Sequence, residues 1–342
     1  NGGMLRALAA PLAVLYGAVI RARNRRFDRP GASTRVGAPE ISGGNLTVGG
    51  TGKTPMVAAL CKMLLSAGTR PAIVTRGYGG TVGRGPLVVE PGDGRTCPGP
   101  DRIGDEPALL ARTLPGVTVV VGSDRVAGAR EAIARGAGVV VLDDGFQHRR
   151  LARDVDIVLI DATDPFGGGR LLPAGRLREP PGSLARADLV VLTRCSPDPS
   201  GTTIVEAVRQ IHPDVPIVRA RQRAVGFVDR SGREVPAPTR AIAFCGIGNP
   251  AAFERDLRAA GVEVGRFEAF RDHRPYTSGD LAGLMADAHG RSTALVTTEK
   301  DLVRLDRADA PDPGPIVALR IETVLEDPGP IVALLRSAGA LR

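Results

Sequence analysis

The chain has 342 residues, a formal charge of +8, four cysteines and no tryptophan, and is long enough for two α/β units of ordinary size. Residues 1–30 set six arginines against Asp28 and so carry +5 of that charge, leaving +3 for the other 312; the broad basic face of a nucleic-acid binder is not expected. Cys61, Cys97, Cys195 and Cys245 lie far apart, in no metal-ligand spacing, and read as free or buried thiols of a reducing compartment.

Taken in chain order, the first predicted element is a helix over residues 4–26, MLRALAAPLAVLYGAVIRARNRR. Leu8, Leu12, Leu15, Tyr16 and Val19 fall on one face, with alanines and Gly17 opposite. The uncharged stretch 7–20 rises about 21 Å as a helix, short of a hydrocarbon core of roughly 30 Å. The arginines follow the apolar run, the reverse of a secretion signal, so cleavage and export are not expected. An apolar face beside an arginine cluster predicts a peripheral anchor on the cytoplasmic side of a membrane; the competing reading is a first helix packed into the core.

Next comes GGNLTVGGTGKTP, residues 43–55. A phosphate-binding turn needs backbone N–H groups aimed into one cavity, a lysine for the β- and γ-phosphates, and a hydroxyl for Mg2+. Thr47, Val48, Gly49, Gly50, Thr51, Gly52, Lys53 and Thr54 supply those parts, and Pro55 suits the first turn of the helix that follows. The usual spacing places a glycine where this chain has Thr47. Lys53, Lys62 and Lys300 are the only lysines in the sequence, which makes the placement of Lys53 informative.

Short β-branched runs at 72–75, 117–121, 139–142, 156–160 and 189–193 alternate with helical patterns. That alternation predicts mainly parallel sheets covered by helices, a P-loop NTPase-like α/β fold. TRGYGG (75–80) sets Arg76 and Tyr78 among glycines, and GDEP (104–107) opens a helix with Asp105 and Glu106, where N-capping is the plain reading. GVVVLDDGFQHRR (138–150) is a buried strand ending in Asp143 and Asp144, the place where P-loop proteins hold Mg2+ or its waters, with Gln147 and His148 just beyond. FGGGRLLPAGRLREP (166–180) is a glycine-rich loop carrying Arg170, Arg176, Arg178 and Glu179, suited to an anionic substrate or to closing as a lid.

Residues 216–239 break the alternation and read as two strands about the turn Asp229-Arg230-Ser231-Gly232. A second series follows: a strand at 241–245, a helix after Asn249-Pro250, a strand at 295–298, a helix from Asp301 and a strand at 316–321. Within it FRDHRPYT (270–277) offers a carboxylate beside a general-base candidate, Asp272-His273, and TTEKD (297–301) ends a strand. The expected organisation is a membrane-associating helix (1–30), a P-loop α/β domain (31–220), a β linker (221–239) and a smaller α/β domain (240–342).

In this order, NLTVGGTGKTP, TRGYGG, GDEP, LDDGFQHRRL, GGGRLLPAGRLREP, DH and TTEKD resemble the tetraacyldisaccharide 4′-kinase family of lipid A biosynthesis, and Thr47 is shared with that family. The resemblance implies Mg2+-dependent transfer of the γ-phosphate of ATP to the 4′-hydroxyl of tetraacyldisaccharide 1-phosphate, giving lipid IVA. It implies a peripheral or monotopic protein on the cytoplasmic leaflet of the inner membrane, with no protein or nucleic-acid partner. Its fold would be two α/β/α domains joined by a two-stranded linker, the substrate entering the cleft between them. Residue by residue, Lys53 and Thr54 take the phosphate and Mg2+ roles, with Asp144, Asp143, Gln147 and Glu179 near the metal. Arg76, Tyr78, Arg178 and Asp105 meet the substrate, and Asp105 and His273 join Lys53 as catalytic residues, which displaces the N-cap reading of Asp105. Arg274 stands where the family often has a histidine or an aromatic. The rival classes are a P-loop regulatory NTPase or metallochaperone-type switch, which would show a Cys/His relay or an Asn-Lys-x-Asp motif, and a scaffold that uses ATP only structurally.

Overall fold

Runs of valine, leucine and isoleucine bounded by turn residues fold as strands hidden on both sides, because a parallel strand covered by helices exposes neither face. A computed structural model of the chain describes residues 2–83, 85–92, 97–195, 200–272, 274–290, 293–307 and 315–341, with side chains from residue 9 onward except 200–202. The chain divides into two units.

The first unit comprises Asn1–Thr75, Asp124–Arg221 and Val324–Arg342. Its strands are parallel, in the order Ile217–Asp229, Leu189–Thr193, Val155–Asp161, Glu40–Asn45, Val139–Asp143, Pro71–Thr75, the first of them running on past Arg221. Every residue of Glu40–Asn45 and of Val139–Asp143 is buried. Helix Lys53–Ser66 buries Met56, Val57, Leu60, Cys61 and Leu64, a three-and-four spacing that puts one stripe against the sheet. Each large side chain so buried contributes about 1.5–3 kcal/mol. Parallel strands deliver their outgoing loops to one edge of a sheet, and such edges are where open α/β sheets hold ligands. Glu40–Asn45 and Val139–Asp143 are paired neighbours, so the glycine-rich turn and the Asp143-Asp144 turn leave the sheet side by side.

The second unit comprises Arg76–Ser123 and Gln222–Thr323. Strands Glu263–Ala269, Arg240–Cys245, Ala294–Thr298 and Ile316–Leu325 run parallel in that order. The hairpin foreseen about Asp229 is present: Asp229 Oδ1 accepts from the Ser231 N–H at 2.8 Å and the Arg233 N–H at 3.1 Å, and Phe227 and Val228 pair antiparallel with Val235 and Glu234. The helix expected after Asn249-Pro250 is present as Pro250–Ala259, and Asn249 caps it through the Ala252 N–H. Strand Thr118–Val121, expected from its valine run, is present and pairs antiparallel with Leu87–Val89. Residues 76–123, expected within the P-loop domain, group with 222–323. The helix they contain, Asp105–Thr113, is tied to helix Glu299–Arg304 and the residues after it by the ion pairs Lys300–Glu106, Arg304–Asp105 and Arg112–Asp306.

The N-terminal helix spans Gly2–Phe27, with Pro11 inside it. Leu12, Val14, Leu15 and Val19 are exposed by 57, 70, 62 and 58 %, so the core-packing reading of its large apolar residues does not hold. The side that packs is the small one. Ala13 and Gly17 are buried, and a Cβ on Gly17 would come within 2.7 Å of Leu171 Cδ1. Tyr16 belongs to this packed side and not to the outer face, because its hydroxyl donates to the Arg178 carbonyl at 2.8 Å. Among the described residues no helix is long and apolar enough to cross a membrane.

Candidate phosphate-binding site

The chain leaves strand Glu40–Asn45 and turns through Gly49 (φ 117°) and Gly52 (φ 86°), two left-handed positions that glycine occupies without Cβ strain. Gly52 is the N-cap of helix Lys53–Ser66 and offers no side-chain cap, which leaves the first-turn N–H groups to an anion. Thr51 is staked from two sides. Asn45 Nδ2 donates to its hydroxyl at 2.9 Å, and the Thr193 hydroxyl donates to its carbonyl at 3.0 Å. The 166–180 loop runs back along the turn: the Val48 N–H donates to the Arg176 carbonyl at 2.8 Å, Arg176 donates to the Val48 carbonyl at 2.9 Å, and buried Thr47 bridges Leu177. Lys53 Nζ lies 3.5 Å from the Gly49 carbonyl and 3.8 Å from Asp144 Oδ1.

Asp143 closes its strand, buried, and accepts from the Thr75 hydroxyl at 3.2 Å. Asp144 follows in a left-handed conformation (φ 52°), which directs its carboxylate toward cations: Arg178 Nη1 donates to both oxygens at 2.7 and 2.8 Å. Burial pushes the Asp144 carboxyl up, but Lys53 and Arg178 outweigh it and hold the group below the usual carboxylate range. Gln147 joins the cluster, its Oε1 accepting from Arg178 at 3.3 Å while its Nε2 donates to the Asn45 carbonyl at 2.8 Å. The adjacent Glu179 is fully buried, its Oε2 accepting from Arg186 at 2.6 Å, and the Arg186 guanidinium stacks 4.5 Å over Phe146.

Two main-chain carbonyls of this cluster are held by the N-terminal helix: Tyr16 on Arg178, and Arg23 Nη2 on Gln147 at 2.6 Å. Burial, with Glu179 next, pushes the Tyr16 hydroxyl up, and burial lowers Arg23. Sequence pattern points to neither contact, since both residues lie in a stretch whose spacing speaks of amphipathicity.

The residues that could hold Mg2+ offer oxygen only, the Thr54 hydroxyl at the helix start and the carboxylates of Asp144 and Asp143 at the neighbouring strand end. Among the described residues no cluster of three or more His, Cys, Asp or Glu makes a preformed cage. That suits an ion that takes one or two protein ligands and completes its shell with phosphate oxygens and water.

In the second unit, Asp105 is not a cap. Gly104 holds that position, and Asp105, the first residue of its helix, is buried with Oδ2 on Arg304 Nε and Oδ1 on Arg307 Nη2, both at 2.8 Å. The TRGYGG turn lies against this helix start: a Cβ on Gly80 would meet the Arg102 carbonyl and the Gly104 nitrogen at 2.7 Å, and one on Gly104 would meet the Tyr78 carbonyl at 2.6 Å. Arg76 and Tyr78 point outward, Tyr78 being 79 % exposed. Asp272 pairs with Arg304 at 3.3 Å, and Arg274 with Asp280 at 2.9 Å. His273 lies outside the described residues. Arg304 and Arg307 were missed from the sequence; the available signal was Asp301 followed three residues later by an arginine on a short helix.

A glycine-rich turn opening a helix from a buried parallel strand, with an aspartate turn on the paired strand beside it, defines a P-loop NTPase-like α/β protein. The family model described as Tetraacyldisaccharide-1-P 4′-kinase, LpxK, matches residues 5–339. The chain belongs to this family. Proteins named tetraacyldisaccharide 4′-kinase from Anaeromyxobacter dehalogenans strain 2CP-C and Chlorobium luteolum are 44 % and 42 % identical to it, over 91 % and 88 % of this chain and 85 % and 87 % of theirs. The crystal structure of LpxK from Aquifex aeolicus in complex with ATP superposes with a TM-score of 0.77 at 32 % identity, covering 98 % of this chain and 99 % of that one.

Proposed function

We propose that the protein transfers the γ-phosphate of ATP to the 4′-hydroxyl of tetraacyldisaccharide 1-phosphate, the step of lipid A biosynthesis that yields lipid IVA. The observation that carries this reading is the Lys53 ammonium 3.8 Å from the Asp144 carboxylate at the mouth of a glycine-rich turn, in a chain of this kinase family. In phosphoryl transfer the catalyst chiefly positions the reactants and neutralises charge. The N–H groups of residues 49–54 and the Lys53 ammonium hold the β- and γ-phosphates. Thr54 and Asp144 would hold Mg2+, with Asp143 and Gln147 beside them, and the ion supplies charge neutralisation on the phosphate oxygens. Arg178, Arg76 and Tyr78 bind the anionic disaccharide. Asp105 and His273 take the proton of the 4′-hydroxyl as its oxygen bonds to phosphorus and the bond to the ADP oxygen breaks, a contribution of about 10²–10⁴-fold for such a base. The exposed apolar face of the N-terminal helix sits in the cytoplasmic leaflet of the inner membrane, where exposed Arg21, Arg25 and Arg26 each add about 1 kcal/mol of attraction to anionic lipid. Incubation with ATP, Mg2+ and tetraacyldisaccharide 1-phosphate should yield a bis-phosphorylated lipid, and Lys53→Ala should abolish it. A wild-type protein that binds ATP yet leaves the lipid unchanged would sink the reading.

A further inference from the structure

A buried charge cluster of the second unit surrounds Arg304. Arg304 has 2 % of its side chain exposed, and its guanidinium reaches acceptors on four separate pieces of chain. Nε donates to Asp105 Oδ2 at 2.8 Å; Nη1 donates to Asp301 Oδ1 at 2.8 Å and to the Gly246 carbonyl; Nη2 reaches Asp272 Oδ1 at 3.3 Å. Only the planar fork of a guanidinium serves so many directions from one buried point.

We propose that Arg304 is a positioning residue for phosphoryl transfer, fixing the Asp105 and Asp272 carboxylates in one geometry. The inference rests on the reading of Asp105 as part of the acceptor-activating pair. The cluster is supported from Asp301 outward. Asp301 is anchored without help from Arg304, by the Tyr276 hydroxyl at 2.8 Å, the Thr298 hydroxyl at 2.6 Å and the Gly246 N–H at 3.1 Å. That anchor fixes one edge of the guanidinium and leaves Nε and Nη2 aimed at Asp105 and Asp272. Gly246 must lack a side chain for this, since a Cβ there would meet the Tyr276 hydroxyl at 3.0 Å and Arg304 Nη1 at 3.1 Å. Tyr276 is itself held by aromatic edges: Phe270 and Tyr276 sit 5.3 Å apart and T-shaped, and both face Phe244, at 6.2 and 5.3 Å. Arg307 takes the other oxygen of Asp105, so the carboxylate cannot rotate.

The test is a cycle of Arg304→Lys, Asp105→Asn and the double variant on the full-length protein, reading kcat and the KM for ATP from lipid phosphorylation. Lysine keeps the buried charge and loses the fork. Misplacing Asp105 by about 1 Å should lower kcat about 10²-fold with the ATP KM within twofold, and the double variant should be no slower than Asp105→Asn alone. A folded Arg304→Lys protein with wild-type kcat, or losses that multiply in the double variant, would overturn the proposal. If Arg304→Lys fails to fold, Tyr276→Phe loosens the Asp301 anchor without touching a charge: a lowered kcat at constant KM, absent in the Asp105→Asn background, is then expected, and wild-type kcat would overturn it. Wild-type kcat in Asp105→Asn would instead remove the role of Asp105 itself.

Discussion

Gly44, the penultimate residue of the strand that feeds the phosphate-binding turn, is pressed against the residue that follows the Asp144-Gly145 turn. A Cβ built there meets Phe146 Cβ at 2.6 Å, its backbone nitrogen at 2.8 Å and its Cα at 3.2 Å. Opening the closest contact to an ordinary 3.4 Å asks for a shift of about 0.8 Å, and the strand cannot give, being hydrogen-bonded to Val139–Asp143 on one side and Val155–Asp161 on the other. The displacement therefore falls on the Asp144–Phe146 turn. Gly44→Ala should cost about 1–3 kcal/mol of stability as overpacking. Moving Asp144 by nearly an ångström should lower kcat for lipid phosphorylation about 10²-fold. Gly43→Ala is the control, because its Cβ meets Val57 Cγ2 at 3.2 Å, a shortfall of about 0.2 Å against one methyl on the facing helix, and the Leu142 carbonyl only at 3.8 Å, so the Asp144 turn is not displaced. Thermal unfolding and initial-rate assays on both variants separate the two costs. A Gly44→Ala enzyme with wild-type kcat, or a Gly43→Ala enzyme equally slowed, would refute the reasoning.

Replacing Leu15 and Val19 together by aspartate removes about 3–6 kcal/mol of apolar burial at a bilayer, so co-sedimentation with phosphatidylglycerol vesicles should weaken at least about 10²-fold; undiminished binding would dissociate the helix face from membrane attachment. His148 is pushed down to about 4 by burial first and then by Arg125 and Arg153. A base depressed below its ordinary 6.5 stabilises the fold above that pH, and the contribution is lost as pH falls from 6.5 towards 4. Melting curves of the wild type should therefore drop faster than those of His148→Gln across that window, and parallel curves would count against the burial argument.

The parts of the site built from local pattern were legible in the sequence. Gly49, Gly52 and Lys53 had to fall where a strand becomes a helix, and Asp143-Asp144 had to end a run of valines, since both features are set by neighbours in the chain. What depends on distant packing was hidden. Strand Glu263–Ala269 reads EVGRFEA, half polar and interrupted by glycine, and takes its conformation from pairing with Arg240–Cys245. Tyr16 sits at the right spacing for the outer face of its helix but turns inward because Gly17 lets the backbone close on Leu171. Arg304 looks like one more arginine in an arginine-rich chain until Asp301, Asp105 and Asp272 surround it. The grouping of residues 76–123 with the later half of the chain follows from ion pairs between helices almost two hundred positions apart, such as Lys300–Glu106 with a separation of 194, which no periodicity reports.

The N-terminal helix grips peptide carbonyls, not side chains, of Gln147 and Arg178. Trimming it away to gain solubility would leave the sequence of the catalytic machinery untouched while unfastening the wall on which Asp144 leans. A shortened enzyme would therefore report on a slackened scaffold, and its rate constants would describe a different instrument from the intact chain.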